Sequence, residues 1–160
     1  MAHRTLLIIL SITILVGTVV YMNERSRDVT QSEHGDTTSQ ASVLLSGETF
    51  FVDVMRTRES QAKGLSGRPS LEKHQGMLFW FTRDDFYPFW MPDMNFDIDI
   101  LWIDKDWTVV HIEEEVSRES YPASFSSPTL ARYVLELSAG TVKEIGAKVG
   151  QKITLDLKAP

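Results

Sequence analysis

Residues 76–104, GMLFWFTRDDFYPFWMPDMNFDIDILWID, decide how this chain folds. The stretch opens on a continuous apolar run, Met77 to Phe81, set between Gly76 and the polar Thr82-Arg83-Asp84-Asp85. That is the pattern of a strand covered on both faces. It closes on Ile98 to Ile103, which with Trp107 to Ile112 flanks Asp104-Lys105-Asp106 and reads as a hairpin with a short loop. Alternate side chains of a strand point to opposite faces. Asp97 and Asp99 therefore share a face with Leu101 and Ile103, while Phe96, Ile98, Ile100 and Trp102 line the other. Asp99 enters a strand that is apolar on both sides.

Outward from this block the strand signals continue. Thr49 to Met55 is β-branched and aromatic and follows a turn at Gly47-Glu48. Arg132 to Leu137 alternates Tyr133, Leu135 and Leu137 against Arg132, Val134 and Glu136, and Gln151 to Leu157 alternates in the same way. Two short helices are expected. One spans Thr57 to Lys63, with Thr57 as N-cap and Gly64 as stop; the other spans Ala139 to Ile145, with Ser138 as N-cap and Gly146 as stop. The class is α+β, mostly β: a curled sheet or partial barrel of about six or seven short strands with two short helices. Closure would hide the sheet edges.

The amino-terminal region reads differently. Residues 1–4 are expected on the cytoplasmic side, and residues 5–22, TLLIILSITILVGTVVYM, are uncharged and mostly aliphatic. A helix of that length just crosses a hydrocarbon core of about 30 Å. The run ends in Val19-Val20-Tyr21-Met22-Asn23, without the small residues of a cleavage site. The expectation is a transmembrane anchor or uncleaved signal that holds the C-terminal domain outside the cytoplasm; the alternative is secretion after cleavage. Residues 23–42 are polar and without apolar periodicity, so they are expected to form a disordered linker. The globular domain is expected over residues 43–158.

Composition narrows the function classes. The net charge is -6 and the sixteen basic residues are scattered, which argues against a nucleic-acid partner. The absence of cysteine removes disulfides, thiolate metal sites and cysteine nucleophiles. No cofactor motif is present.

Several blocks follow one another in order: GL-x-x-R (Gly64 to Arg68), GMLF-x-F (Gly76 to Phe81), FWM (Phe89 to Met91), D-x-x-x-x-D (Asp99 to Asp104), YVLE (Tyr133 to Glu136) and G-x-K-x-G (Gly146 to Gly150). With these blocks the chain resembles domain-of-unknown-function family 192, an uncharacterised prokaryotic family, from about Val43 to Asp156. Asp99 and Asp104 stand where that family has acids. Asp97 and Pro92 depart from the residues common there. The resemblance implies no activity.

Two groups of residues carry candidate chemistry. A buried carboxylate needs a cation or several hydrogen-bond donors. Asp99 is therefore expected to recruit Arg68 or Arg132, either as a structural pair or as a general base or hydroxyl-binding group. The strip Phe89, Trp90 and Met91, held between Pro88 and Pro92, is the candidate ligand surface, because aromatic faces stack on apolar rings and sugars. Arg68, Phe89, Trp90, Met91 and Asp99 are expected to meet in space. Met77, Met91 and Met94 with His74 lack the repeated spacing of a copper site, and no metal is expected. Gly64-Leu65-Ser66-Gly67 ends in Arg68, so it is not a G-x-S-x-G elbow. Two readings follow: a membrane-tethered binding or auxiliary module for a glycan, peptide or small polar ligand, and a glycosidase-like hydrolase using Asp99 and a second carboxylate.

Overall fold

The computed structural model describes residues 39–157. The expected anchor and most of the expected linker lie outside the described residues. Seven strands form one sheet: β1 (Ser39–Leu45), β2 (Glu48–Met55), β3 (Gln75–Asp85), β4 (Ile98–Ile103), β5 (Val109–Val116), β6 (Ala131–Ser138) and β7 (Thr154–Asp156). Helices α1 (Arg58–Lys63) and α2 (Thr141–Ile145) complete the α+β class. The sheet order is β5-β4-β6-β3-β2-β1-β7. Only β2 and β3 run parallel, joined by the crossover that carries α1.

The sheet is not closed into a barrel, yet its two edges meet at one end. Val109 N–H donates to the Gln151 carbonyl at 2.9 Å, Gly150 N–H to the Val109 carbonyl at 2.8 Å, and Ile153 N–H to the Trp107 carbonyl at 2.9 Å. These bonds shorten the last strand. Residues 151–153, expected within it, are bound to the β4–β5 connection instead.

Alternation in each strand feeds two cores. Val43, Val52, Leu78, Leu101, Leu135 and Val142 belong to one. Met77, Phe79, Met91, Ile98, Ile100 and Trp102 belong to the other. Leu65 and Leu71 of the α1 crossover cap the second core.

Two boundaries differ from expectation. β1 begins at Ser39, four residues before the expected domain start at Val43, because Ser39 to Ser42 pair with Val54 to Phe51 of β2. Polar composition had hidden this part of the strand. Helix α2 begins at Thr141 with Gly140 as N-cap, not with Ser138. The reason is distant in sequence. Asp99 of β4 accepts from Val142 N–H at 2.8 Å and Gly140 N–H at 3.2 Å, so no local side chain has to cap the helix. Helix α1 follows expectation, with Thr57 and Ser60 in a reciprocal capping box.

Candidate functional site

The five candidate residues do not meet. Asp99 is 0% exposed and lies on the face of the sheet that packs around Val142. Its Oδ1 also accepts from Glu115 N–H at 2.8 Å. A bulge in β5 makes this possible: Ile98 pairs with Val116 while Ile100 pairs with Glu113, and Glu115 sits at φ 53°. Both Asp99 oxygens are thus held by backbone donors. The arginines are placed elsewhere. Arg68 pairs with Asp53 at 2.7 Å, and Arg132 pairs with Asp84 at 2.7 Å. The expected Arg68–Asp99 pair is corrected accordingly. Backbone amides already supply the donors a buried carboxylate needs. Sealed and held by three backbone donors, Asp99 exposes no oxygen to a substrate.

Phe89, Trp90 and Met91 do line a common cleft, on the other face of the sheet. Its volume is about 250 Å³. One wall is the C-terminal turn of α1 and the loop after it, from Gln61 to Ser66. The opposite wall is the strip from Tyr87 to Met94. Hydrogen bonds stitch the two walls together: Ser66 Oγ donates to the Pro92 carbonyl at 2.9 Å, Gly67 N–H to the Asp93 carbonyl at 2.9 Å, and Asn95 Nδ2 to the Arg68 carbonyl at 2.8 Å. The strip is fixed from beneath. Phe89 exchanges backbone hydrogen bonds of 2.8 Å with Phe125, and the indole Nε1 of Trp102 donates to the Tyr87 carbonyl at 2.9 Å.

Aromatic packing shapes the interior. Phe79 meets Phe89 edge to face at 4.8 Å between centroids, and Phe81 stacks on Tyr87 at 3.5 Å. Trp80 turns to the opposite face and packs against Tyr133 and Trp107. Within the strip the three candidates differ. Met91 is 2% exposed and belongs to the core, Phe89 is half-buried, and Trp90 is 53% exposed at the rim.

Glu136 lies within this cleft. It sits in the middle of β6, between Met77 of β3 and Ile100 of β4. The residue is 6% exposed, and its Oε2 is buried without a hydrogen-bond partner. Burial pushes the carboxyl up to about 8, against the opposing pull of the Arg68 guanidinium. That direction favours the protonated carboxyl. Sequence reasoning missed it. Its signal was present in the YVLE block, where an acid stands between Leu135 and Leu137. Alternation groups it with Arg132 and Val134 on one face. Gly76 belongs to the same construction. A Cβ there would stand 2.9 Å from the Glu136 carbonyl oxygen, so only glycine lets β3 and β6 approach here.

Among the described residues no group of three or more His, Asp or Glu is placed to hold a metal ion, and no helix is long and apolar enough to cross a membrane.

Comparison with known proteins agrees with this architecture. The family model described as DUF192, Uncharacterized ACR, matches residues 40–155. A crystal structure of a proposed transcription regulator from Sinorhizobium meliloti is 30% identical with a TM-score of 0.66, over 72% of this chain and 91% of that one. A protein of unknown function from Novosphingobium aromaticivorans is 28% identical with a TM-score of 0.66, over 72% of this chain and 83% of that one. No curated protein matches the chain.

Proposed function

We propose, from the premise that this chain belongs to the DUF192 family, that its domain is a binding module and that the cleft beneath Trp90 is its ligand site. The observation that carries this reading is the Glu136 carboxyl, which lies in an aromatic cleft with Oε2 unpartnered. A buried polar atom without a partner costs about 1–3 kcal/mol. A ligand that supplies the missing hydrogen bond, once a side-chain rotation turns Oε2 toward the cleft, recovers that energy on binding. The cleft walls favour a small molecule with an apolar body and at least one polar group. This is narrower than the glycan, peptide or small polar ligand expected from sequence.

The hydrolase reading through Asp99 has no support in this geometry, because Asp99 lies across the sheet from the cleft. The acidic balance of the chain, -6, favours a small ligand over a nucleic acid. The apolar run at residues 5–22 supports a module tethered at the membrane and facing away from the cytoplasm. Protease added to spheroplasts should then remove the domain, and protection of the domain would overturn that orientation.

A small-molecule library screened by ligand-observed NMR against the full-length chain tests the cleft. Hits are expected to lose binding in Trp90→Ala and to change affinity in Glu136→Gln. Hits that bind both variants as well as the wild type would place the ligand site elsewhere.

A further inference from the structure

Resting on the cleft reading above, we propose that the ligand is an organic cation: an alkyl- or arylammonium whose N–H groups meet the Glu136 carboxylate and whose hydrocarbon body lies against Phe79, Phe89 and Trp90.

The polar inventory of the cleft points to this class. Its half-buried side-chain donors are already used, while Lys63 and Trp90 at the exposed rim donate to no other described residue. Gln61 Nε2 donates to the Met55 carbonyl at 3.2 Å and the Trp80 carbonyl at 3.0 Å. Ser66 Oγ is bound to the Pro92 carbonyl, and the Tyr87 hydroxyl donates to the Arg83 carbonyl at 2.8 Å. What remains inside is the carboxyl of Glu136, which as the free acid both donates and accepts. A ligand that brings N–H donors together with a positive charge meets it as the carboxylate.

The walls agree. Aromatic faces carry a negative quadrupole that attracts ammonium groups. The short helix α1 also presents its carbonyl end, not its amide end, to the cleft.

Few charges face Glu136. Arg68 is committed to Asp53, and Lys63 is exposed at the rim. Tyr87 is held neutral, its hydroxyl pushed up by burial and by the charge of Asp85. The flanking strands offer Met77 and Ile100, which carry no charge. No cation within the domain pairs with Glu136, among the described residues.

The proton balance supplies the test. The carboxyl of the empty site holds a proton, so a bound ammonium displaces it to solvent. One ion pair forms and one proton leaves. A neutral ligand displaces none.

The probes are benzylammonium, benzyl alcohol and benzoate, three molecules with the same ring and different charge. Each is titrated calorimetrically into the full-length chain, at several pH values and in two buffers of different ionisation enthalpy. Benzylammonium is expected to bind about tenfold or more tighter than benzyl alcohol at pH 7.5. It should release close to one proton per molecule near pH 6.5, and its affinity should rise about tenfold per pH unit below 8. Glu136→Gln should abolish the proton release and the preference for the cation.

Benzyl alcohol or benzoate binding as tightly as benzylammonium overturns the cation and leaves the cleft reading standing. So does benzylammonium binding without proton release. If none of the three binds, and the NMR screen also yields no cleft ligand, both readings fall.

Discussion

Two carboxyl groups are buried in adjacent positions of one sheet, and they have opposite surroundings. Asp99 of β4 and Glu136 of β6 lie on neighbouring strands, one residue out of register and therefore on opposite faces. Asp99 holds three backbone N–H groups, from Glu115, Gly140 and Val142. Glu136 has a buried oxygen that holds none. The first links strand, bulge and helix into one structure. The second is pushed up to about 8 by burial, with no donor to hold its charge. Burial alone therefore does not tell an acid held by the fold from one left without partners. The count of donors around it does.

The sharpest way to break this comparison is to remove Asp99. Asp99→Ala should strand three backbone donors and cost about 5 kcal/mol, since hydrogen bonds to a charged group are each worth about 1.5–3 kcal/mol. Urea denaturation measures the loss. A cost under about 1 kcal/mol would mean that Asp99 does not hold α2.

Glu136 should show itself through pH. Its folded-state value lies near 8 against an ordinary 4.5. Between those limits the folded chain holds a proton that the unfolded chain has released, so this group's contribution falls as pH rises. It is fully present below pH 4.5 and fully lost above about 8. The wild type should lose about 3 kcal/mol from pH 5 to pH 7.5 relative to Glu136→Gln. Parallel stability curves for the two proteins would show that the carboxyl ionises freely in the fold.

Gly76→Ala probes how closely β3 and β6 approach beside Glu136, on the face away from the cleft. The added methyl meets the Glu136 carbonyl oxygen and Leu137 Cδ2, both at 2.9 Å. Overpacking of this kind costs about 1–3 kcal/mol. A neutral result in thermal melts would mean that β3 and β6 separate easily.

The smallest expected effect is that of Trp90→Ala. With the side chain 53% exposed, its loss should change stability by less than about 1 kcal/mol while removing ligand binding. A cost of about 3–5 kcal/mol, typical of a buried aromatic, would return Trp90 to the core.

Much of this was legible in the residues themselves. The apolar run at Met77 to Phe81 and the alternation through Ile98 to Ile103 specified strands covered on both faces. The same alternation placed Asp99 inside and set Trp80 opposite Phe79. Helix α1 carried its own start and stop signals in Thr57 and Gly64. These are local properties, fixed by the two-residue period of a strand and the capping needs of a helix.

The partners of buried groups were not local. Asp99 draws its donors from Glu115, Gly140 and Val142, and no spacing rule joins those positions to residue 99. Arg68 went to Asp53 because the parallel pairing of β2 and β3 carries the α1 crossover over that strand. In sequence Glu136 is one member of an alternating strand; the strand order puts β6 between β3 and β4, under the loops of the cleft. The sequence by itself determined which residues are strand and which face each one takes. Only the tertiary structure decided which faces are covered and which polar atoms are left unpaired, because a strand's pattern sets the direction of its side chains but not the identity of its neighbours.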